Sequence, residues 1–289
     1  MNALRMFAVV TILMTIASPI AMADASNEYV ITRDVVYGHK MGMALTYDVI
    51  QPAKPNGAGI LFMNSGGWFS RWFDPADAVD SATGRGLNFN NVVDSGFTLF
   101  IVRHGSAPLF KVPEAVADVK RATRHIKLNA KTYGVDNERL GVFGGSAGGH
   151  LSLMLGTDSD TGDSDSKDAI LMQDNRVACV VAYFPPVDIR GLTGPNERFP
   201  ALDFDPELAD DISPILHVSK DDPPTLMIHG DKDPLVPLEH SERILAAFKE
   251  AGVKTNLVVI EGGVHGFRGK HAIQASDALL AWFQKHLTD

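Results

Sequence analysis

The chain has 289 residues, 45% of them hydrophobic and 21% charged, with a formal net charge of −9. That length and balance suit one large α/β domain with a full core and argue against disorder, while the acidic surplus argues against nucleic acid as a partner. The single cysteine, Cys179, rules out an intramolecular disulfide, and its place inside the apolar run 177–183 reads as a buried inert thiol.

Arg5 opens the chain with a positive charge, residues 6–16 are apolar, and Ser18-Pro19 then Ala21-Met22-Ala23 give a helix break and an A-x-A site. This is the pattern of a secretory signal peptide cleaved after Ala23, and its apolar run is shorter than the ~20 residues a membrane span needs. The expectation is a secreted or periplasmic protein, residues 24–289, with no membrane anchor after cleavage. Removing 1–23 takes away one basic residue and no acidic one, so the remainder is more acidic still.

Residues 28–37 and 43–50 alternate apolar and polar side chains around Gly38 and Gly42, as an edge hairpin does. The wholly apolar run 59–63 reads as a strand buried on both faces; an interrupted helix is expected over 74–95, and 97–102 is the next buried strand. Val112, Val116, Val119 and Ile126 recur at helical spacing, with Pro113 near the start and Gly134 past the end. The segment 158–168 is rich in Asp, Ser and Gly, but Gly162 and Ala169 stand where a calcium loop of the EF-hand type needs ligands, so it reads as a solvated surface loop. Strands at 177–183, 225–229 and 257–260 alternate with helices at 238–251 and 271–287, and 184–224 is a proline-rich excursion. Eight strands alternating with helices predict a mostly parallel sheet with helices on both faces and one domain, 24–289, with 184–224 as a small cap.

Between the strand at 140–143 and a helix-compatible segment lies Gly144-Gly145-Ser146-Ala147-Gly148-Gly149. Gly144, Ser146 and Gly148 fit G-x-S-x-G, a strained strand-to-helix turn that holds a serine above the sheet edge. Downstream, Asp233 in HGDKDPLVP and His265 in GGVHGF each follow an apolar run. Ser, Asp, His is the chain order of an α/β-hydrolase triad.

The segments GGSAGGH around Ser146, PEAVADVKRATRHI through YGVDNERLGVFG before it, SPILHVSKDDPPTLMIHGDKDPLVP, and GGVHGF resemble the α/β-hydrolase superfamily. In particular they resemble its bacterial acetyl-esterase and lipase-like carboxylesterase branch, over roughly 41–287. The resemblance implies that Ser146 is the nucleophile, His265 the base and Asp233 the acid. A serine hydroxyl is a weak nucleophile without a base in reach, and imidazole titrates in the useful range. The family pattern places the acid four residues after His229, at Asp233; Asp188 and Asp231 stay open as alternatives. The resemblance also implies an oxyanion hole of backbone N–H groups from Ala147 and from the loop 64–68. Where the family carries H-G-G-G and an aromatic, this chain reads Asn64-Ser65-Gly66-Gly67-Trp68. Gly66 and Gly67 are the expected donors, and Trp68 is either a wall of the substrate pocket or a side chain packed into the core.

The implied function is an exported serine ester hydrolase cleaving a short-chain acyl ester, with no metal or organic cofactor. Its partner is a small-molecule ester, acylated carbohydrates among the candidates. A prolyl-oligopeptidase-like peptidase and a non-catalytic ligand-binding hydrolase fold are the alternatives.

Overall fold

Ile60 and Phe62 of the strand Gly59–Met63 point into one apolar cluster, Leu61 and Met63 into another. All five residues are buried, and a strand covered on both faces reads as a continuous apolar run. The computed structural model describes residues 29–79 and 89–288. The signal peptide expected over 1–23 lies outside the described residues, as does the middle of the interrupted helix expected over 74–95.

Strands β1 (Tyr29–Lys40), β2 (Met43–Pro52), β3 (Gly59–Met63), β4 (Thr98–Val102), β5 (Leu140–Gly145), β6 (Cys179–Tyr183), β7 (Thr225–Gly230) and β8 (Thr255–Ile260) form one sheet. Their order is β1-β2-β4-β3-β5-β6-β7-β8. The β1/β2 and β2/β4 pairs are antiparallel and the rest parallel, as the sequence predicts. Helices α3 (Val112–Leu128), α4 (Ala147–Thr157) and α5 (Glu239–Glu250) cover one face. Helices α2 (Phe89–Asp94) and α6 (Lys270–Leu287) cover the other; a short turn of helix, α1 (Pro75–Ala78), precedes α2. Phe248 of α5 and Phe283 of α6 are fully buried, each contributing about 1.5–3 kcal/mol of hydrophobic stabilisation.

Helix α3 starts where the Glu114 carboxylate accepts from the Lys111 N–H at 2.9 Å, with Pro113 in the first turn, and the chain leaves through Gly134 in the left-handed region (φ 64°). Its polar face is not simply solvated. Lys120, Arg121, Arg124 and Lys127 pair with Asp158, Asp168, Asp160 and Asp174, so the acidic segment expected to be a solvated loop folds back onto the helix and is neutralised there. The excursion 184–224 consists of irregular chain and three short 3-10 turns, Pro200–Leu202, Pro206–Leu208 and Pro214–Leu216, each opened by a proline. Loops leaving β3, β5, β6, β7 and β8 emerge at one edge of the parallel sheet, the edge at which open α/β sheets bind ligands.

Candidate active site

Ser146 joins β5 to α4 with φ 54° and ψ −118°, a conformation that costs an L-residue about 1–3 kcal/mol and persists only where its surroundings impose it. They do. The Ser146 N–H donates to the Tyr183 carbonyl at the end of β6 (2.9 Å), and its carbonyl accepts from the His150 N–H (2.9 Å). A Cβ on Gly144 would lie 2.5 Å from the Gly148 backbone, and one on Gly148 would lie 2.5 Å from the Met63 carbonyl oxygen. The glycines of G-x-S-x-G are therefore demanded by backbone contact, with strand, turn and helix pressed together. The Ser146 side chain makes no capping bond to α4.

The loops after β7 and β8 are brought together by a second glycine contact: a Cβ on Gly230 would lie 2.2 Å from the Gly263 carbonyl oxygen. Asp233 Oδ2 accepts from His265 Nδ1 at 2.7 Å, and Oδ1 accepts from the N–H groups of Leu235 (2.8 Å) and Val236 (3.0 Å). A carboxylate only accepts, so the Nδ1 proton lies on this bond and Nε2 is left as an acceptor. The Asp233 side chain is fully buried and that of His265 is 18% exposed, an acid held out of water and a base in reach of it. Phe184, just past β6, lies against the imidazole with ring centroids 4.5 Å apart and the rings tilted by 53°, and comes within 3.2 Å of where Gly145 would carry a Cβ. The ring thus spans from the residue before Ser146 to His265.

The other acids have different employment. Asp231 Oδ1 accepts from the Gly262 N–H (2.6 Å), pinning the turn that leads to His265. Asp188 is held by Arg190 (2.9 Å) and Arg243 (2.8 Å), and hydrogen bonding to Arg190, with Arg243 beside it, keeps its carboxyl well below the usual carboxylate range. His229 is fully buried: Nε2–H donates to the Val236 carbonyl (2.9 Å) and Nδ1 accepts from Ser241 (2.7 Å), bracing the turn that carries Asp233. Burial pulls its pKa down, which keeps it neutral.

Around 64–70 the structure departs from one expectation and selects between two alternatives. Gly66 and Phe69 exchange both backbone hydrogen bonds at 3.0 Å, so the Gly66 N–H expected as an oxyanion donor is engaged inside the loop. Gly67 (φ 58°) is the loop glycine whose N–H has no hydrogen bond among the described residues, and Ala147 follows Ser146 as the first residue of α4. Of the two alternatives for Trp68, pocket wall and core, its side chain takes the core: it is 5% exposed, with its ring edge-on to His150 at 5.6 Å. Gly66 is engaged by its near neighbour Phe69 across a tight turn, whereas the partner of Trp68 is His150 on α4, brought beside it by the fold. Phe184 and His104 belong to no motif legible in the sequence; Phe184 directly follows β6 and His104 lies two residues past the end of β4, both at the edge where Ser146, Asp233 and His265 lie. That position is the signal that could have found them.

The sequence profile of the BD-FAE family, an α/β-hydrolase family, matches residues 48–248, with Ser146 and Asp233 inside the match. The chain belongs to the BD-FAE family. This BD-FAE chain is 28% identical to esterase LipC of Mycobacterium tuberculosis over 271 residues, 86% of this chain and 63% of LipC. It is 28% identical to esterase LipQ of the same organism over 176 residues, 57% of this chain and 41% of LipQ. The chain thus spans less than two thirds of the length of these curated relatives. Among solved structures, a truncated form of a carbohydrate esterase from gut microbiota superposes with a TM-score of 0.74 at 27% identity, covering 92% of this chain and 99% of that one. Thermogutta terrifontis esterase 2, phosphonylated by cyclosarin, superposes with a TM-score of 0.66 at 26% identity, covering 88% of this chain and 93% of that one.

Proposed function

We propose that this BD-FAE chain is an exported serine hydrolase of short-acyl carboxylic esters that works through an acyl-enzyme on Ser146. The observation that carries the reading is the Asp233–His265 pair at 2.7 Å, at the same sheet edge as a serine held in a strained turn. Ser146 Oγ attacks the ester carbonyl carbon while its proton passes to His265 Nε2, and Asp233 stabilises the imidazolium through Nδ1–H. The N–H groups of Gly67 and Ala147 receive the oxyanion; collapse of the tetrahedral intermediate breaks the C–O bond, and the alcohol leaves with the proton from His265. Water, activated by the same imidazole, then attacks the acyl-enzyme, releasing the carboxylic acid and restoring Ser146.

The substrate class follows from what surrounds the edge. Each buried CH₂ is worth only ~0.8 kcal/mol, so a fatty chain needs a long apolar trough. The excursion 184–224 carries charged residues such as Arg190, Glu197, Arg198 and Glu207 and no sustained apolar helix, which supports a small, polar ester. The similar carbohydrate esterase supports acylated carbohydrates as the alcohol part. Export rests on the segment 1–23 and would show as a mature protein beginning at Asp24. For p-nitrophenyl esters, kcat/KM should peak between acetate and butyrate and fall more than about tenfold by octanoate, ~1.4 kcal/mol of transition-state binding. A maximum at decanoate or longer, measured below the micelle concentration, would contradict the short-acyl assignment.

A further inference from the structure

Two buried histidines outside the triad grip the loop 64–68 at both ends of its glycine pair. Ser65 Oγ lies 2.8 Å from His104 Nε2, and His104 Nδ1 lies 2.8 Å from the Gly105 carbonyl. A carbonyl only accepts, so Nδ1 carries the proton, Nε2 is the acceptor, and the Ser65 hydroxyl donates to it. His104 is itself fixed: the Gly105 N–H donates to Asp118 Oδ2 (2.8 Å), and a Cβ on Gly105 would lie 2.6 Å from the Phe110 ring. At the other end, Trp68 Nε1–H donates to His150 Nδ1 (3.4 Å), and His150 Nε2–H donates to the Ile212 carbonyl (2.8 Å). The same carbonyl argument fixes this tautomer. Both imidazoles are buried, and burial lowers the pKa of each, that of His150 to about 4, so both stay neutral as these bonds require.

Between the two grips the backbone is strained. Gly67 and Trp68 take φ values of 58° and 59° in succession, and tryptophan, unlike glycine, adopts that region only under external constraint. His150 also belongs to the elbow, since its N–H donates to the Ser146 carbonyl (2.9 Å). One residue therefore ties the loop, through its imidazole, to the turn that holds Ser146, through its backbone N–H.

We propose that His104 and His150 are positioning residues of the oxyanion loop, clamping Ser65 and Trp68 on either side of Gly66-Gly67 so that the Gly67 N–H is fixed where negative charge develops. This rests on the reading of Gly67 as an oxyanion donor.

The test uses Ser65→Ala and Trp68→Phe, which remove one hydroxyl and one N–H and leave both histidines in place. Loss of an oxyanion donor lowers kcat by about 10²–10³ and a loosened one by less, so each variant should lower kcat for p-nitrophenyl acetate about tenfold with KM within about twofold. Each should weaken an aryl trifluoromethyl ketone, which forms a tetrahedral oxyanion on the serine, by the same factor. His150→Asn retains an acceptor at the Nδ1 position and should keep more kcat than His150→Gln, which retains only the Nε2-like donor to Ile212. Deuterium exchange of the peptide spanning 64–69 should speed up in Ser65→Ala and Trp68→Phe, a readout that needs no turnover. Unchanged exchange, or faster exchange with kcat and ketone affinity unchanged, would overturn the clamp, as would His150→Gln outperforming His150→Asn. Failure of the hydrolase reading would look different: wild-type protein that neither cleaves esters nor binds the ketone.

Discussion

The Phe184 ring stands 4.5 Å from the His265 imidazole, centroid to centroid, and only 9% of Phe184 is exposed. An aromatic wall at that distance limits the rotation of the imidazole about the axis that Asp233 sets, so it fixes the direction in which Nε2 points.

Phe184→Ala should therefore cost about 3–5 kcal/mol of stability, the usual range for a buried Phe truncation. It should also lower kcat by about tenfold or more, because small misplacements of a reacting group are expensive. Urea denaturation and steady-state kinetics read the two effects separately. Lost stability with an unchanged kcat would mean that Asp233 alone orients the imidazole.

Asp233→Asn should lower kcat by about 10⁴, since an amide favours the wrong imidazole tautomer, while Asp188→Asn should leave kcat within a few fold. Asp188 acts on stability instead. Arg190 and Arg243 depress its folded-state pKa, so its contribution is present above the ordinary carboxylate pKa and is lost as pH falls toward the folded value. The stability gap between wild type and Asp188→Asn should be widest near neutral pH and narrow progressively below pH ~4. If Asp188→Asn abolishes turnover and Asp233→Asn does not, the acid has been misassigned.

Asn64 Nδ2–H donates to the Arg71 carbonyl at 2.6 Å, tying the start of the loop 64–68, the proposed oxyanion loop, to the chain beyond it. The bond is exposed and worth about 1 kcal/mol, so Asn64→Ala should reduce kcat about fivefold and raise KM less. An unchanged kcat would show that the loop is held without it.

Gly148→Ala sets helix propensity against packing. Alanine in a helix gains about 1 kcal/mol over glycine, but its Cβ would sit 2.5 Å from the Met63 carbonyl oxygen. Backbone cannot retreat as a side chain can, and forced overpacking costs about 1–3 kcal/mol or more. The net result should be destabilisation, read as a lower urea midpoint, together with a large loss of activity. A variant more stable than wild type would mean that the elbow can open without cost.

Much of the frame is legible in the sequence because strands covered on both faces are built around apolar runs: 59–63, 140–143 and 226–228 emerge within β3, β5 and β7. The elbow and the pairing of Asp233 with His265 are legible because both depend on short local spacings after strands. The choice of the core for Trp68 and the ion pairs of α3 with Asp158, Asp160, Asp168 and Asp174 are not, since each is decided by a partner brought in by the fold; the Gly66 N–H is engaged by its near neighbour Phe69, through a turn geometry that the residue types leave open. A helix face with four cations looks solvated until the segment that neutralises it is placed beside it.

The most direct test of the account is labelling with a fluorophosphonate, followed by peptide mapping and kinetics of Ser146→Ala. The account predicts a single adduct, on Ser146, and a variant that retains at most the roughly 10³–10⁴-fold acceleration over water that an intact oxyanion hole supplies. An adduct on another residue, or Ser146→Ala turning over esters like the wild type, would contradict it.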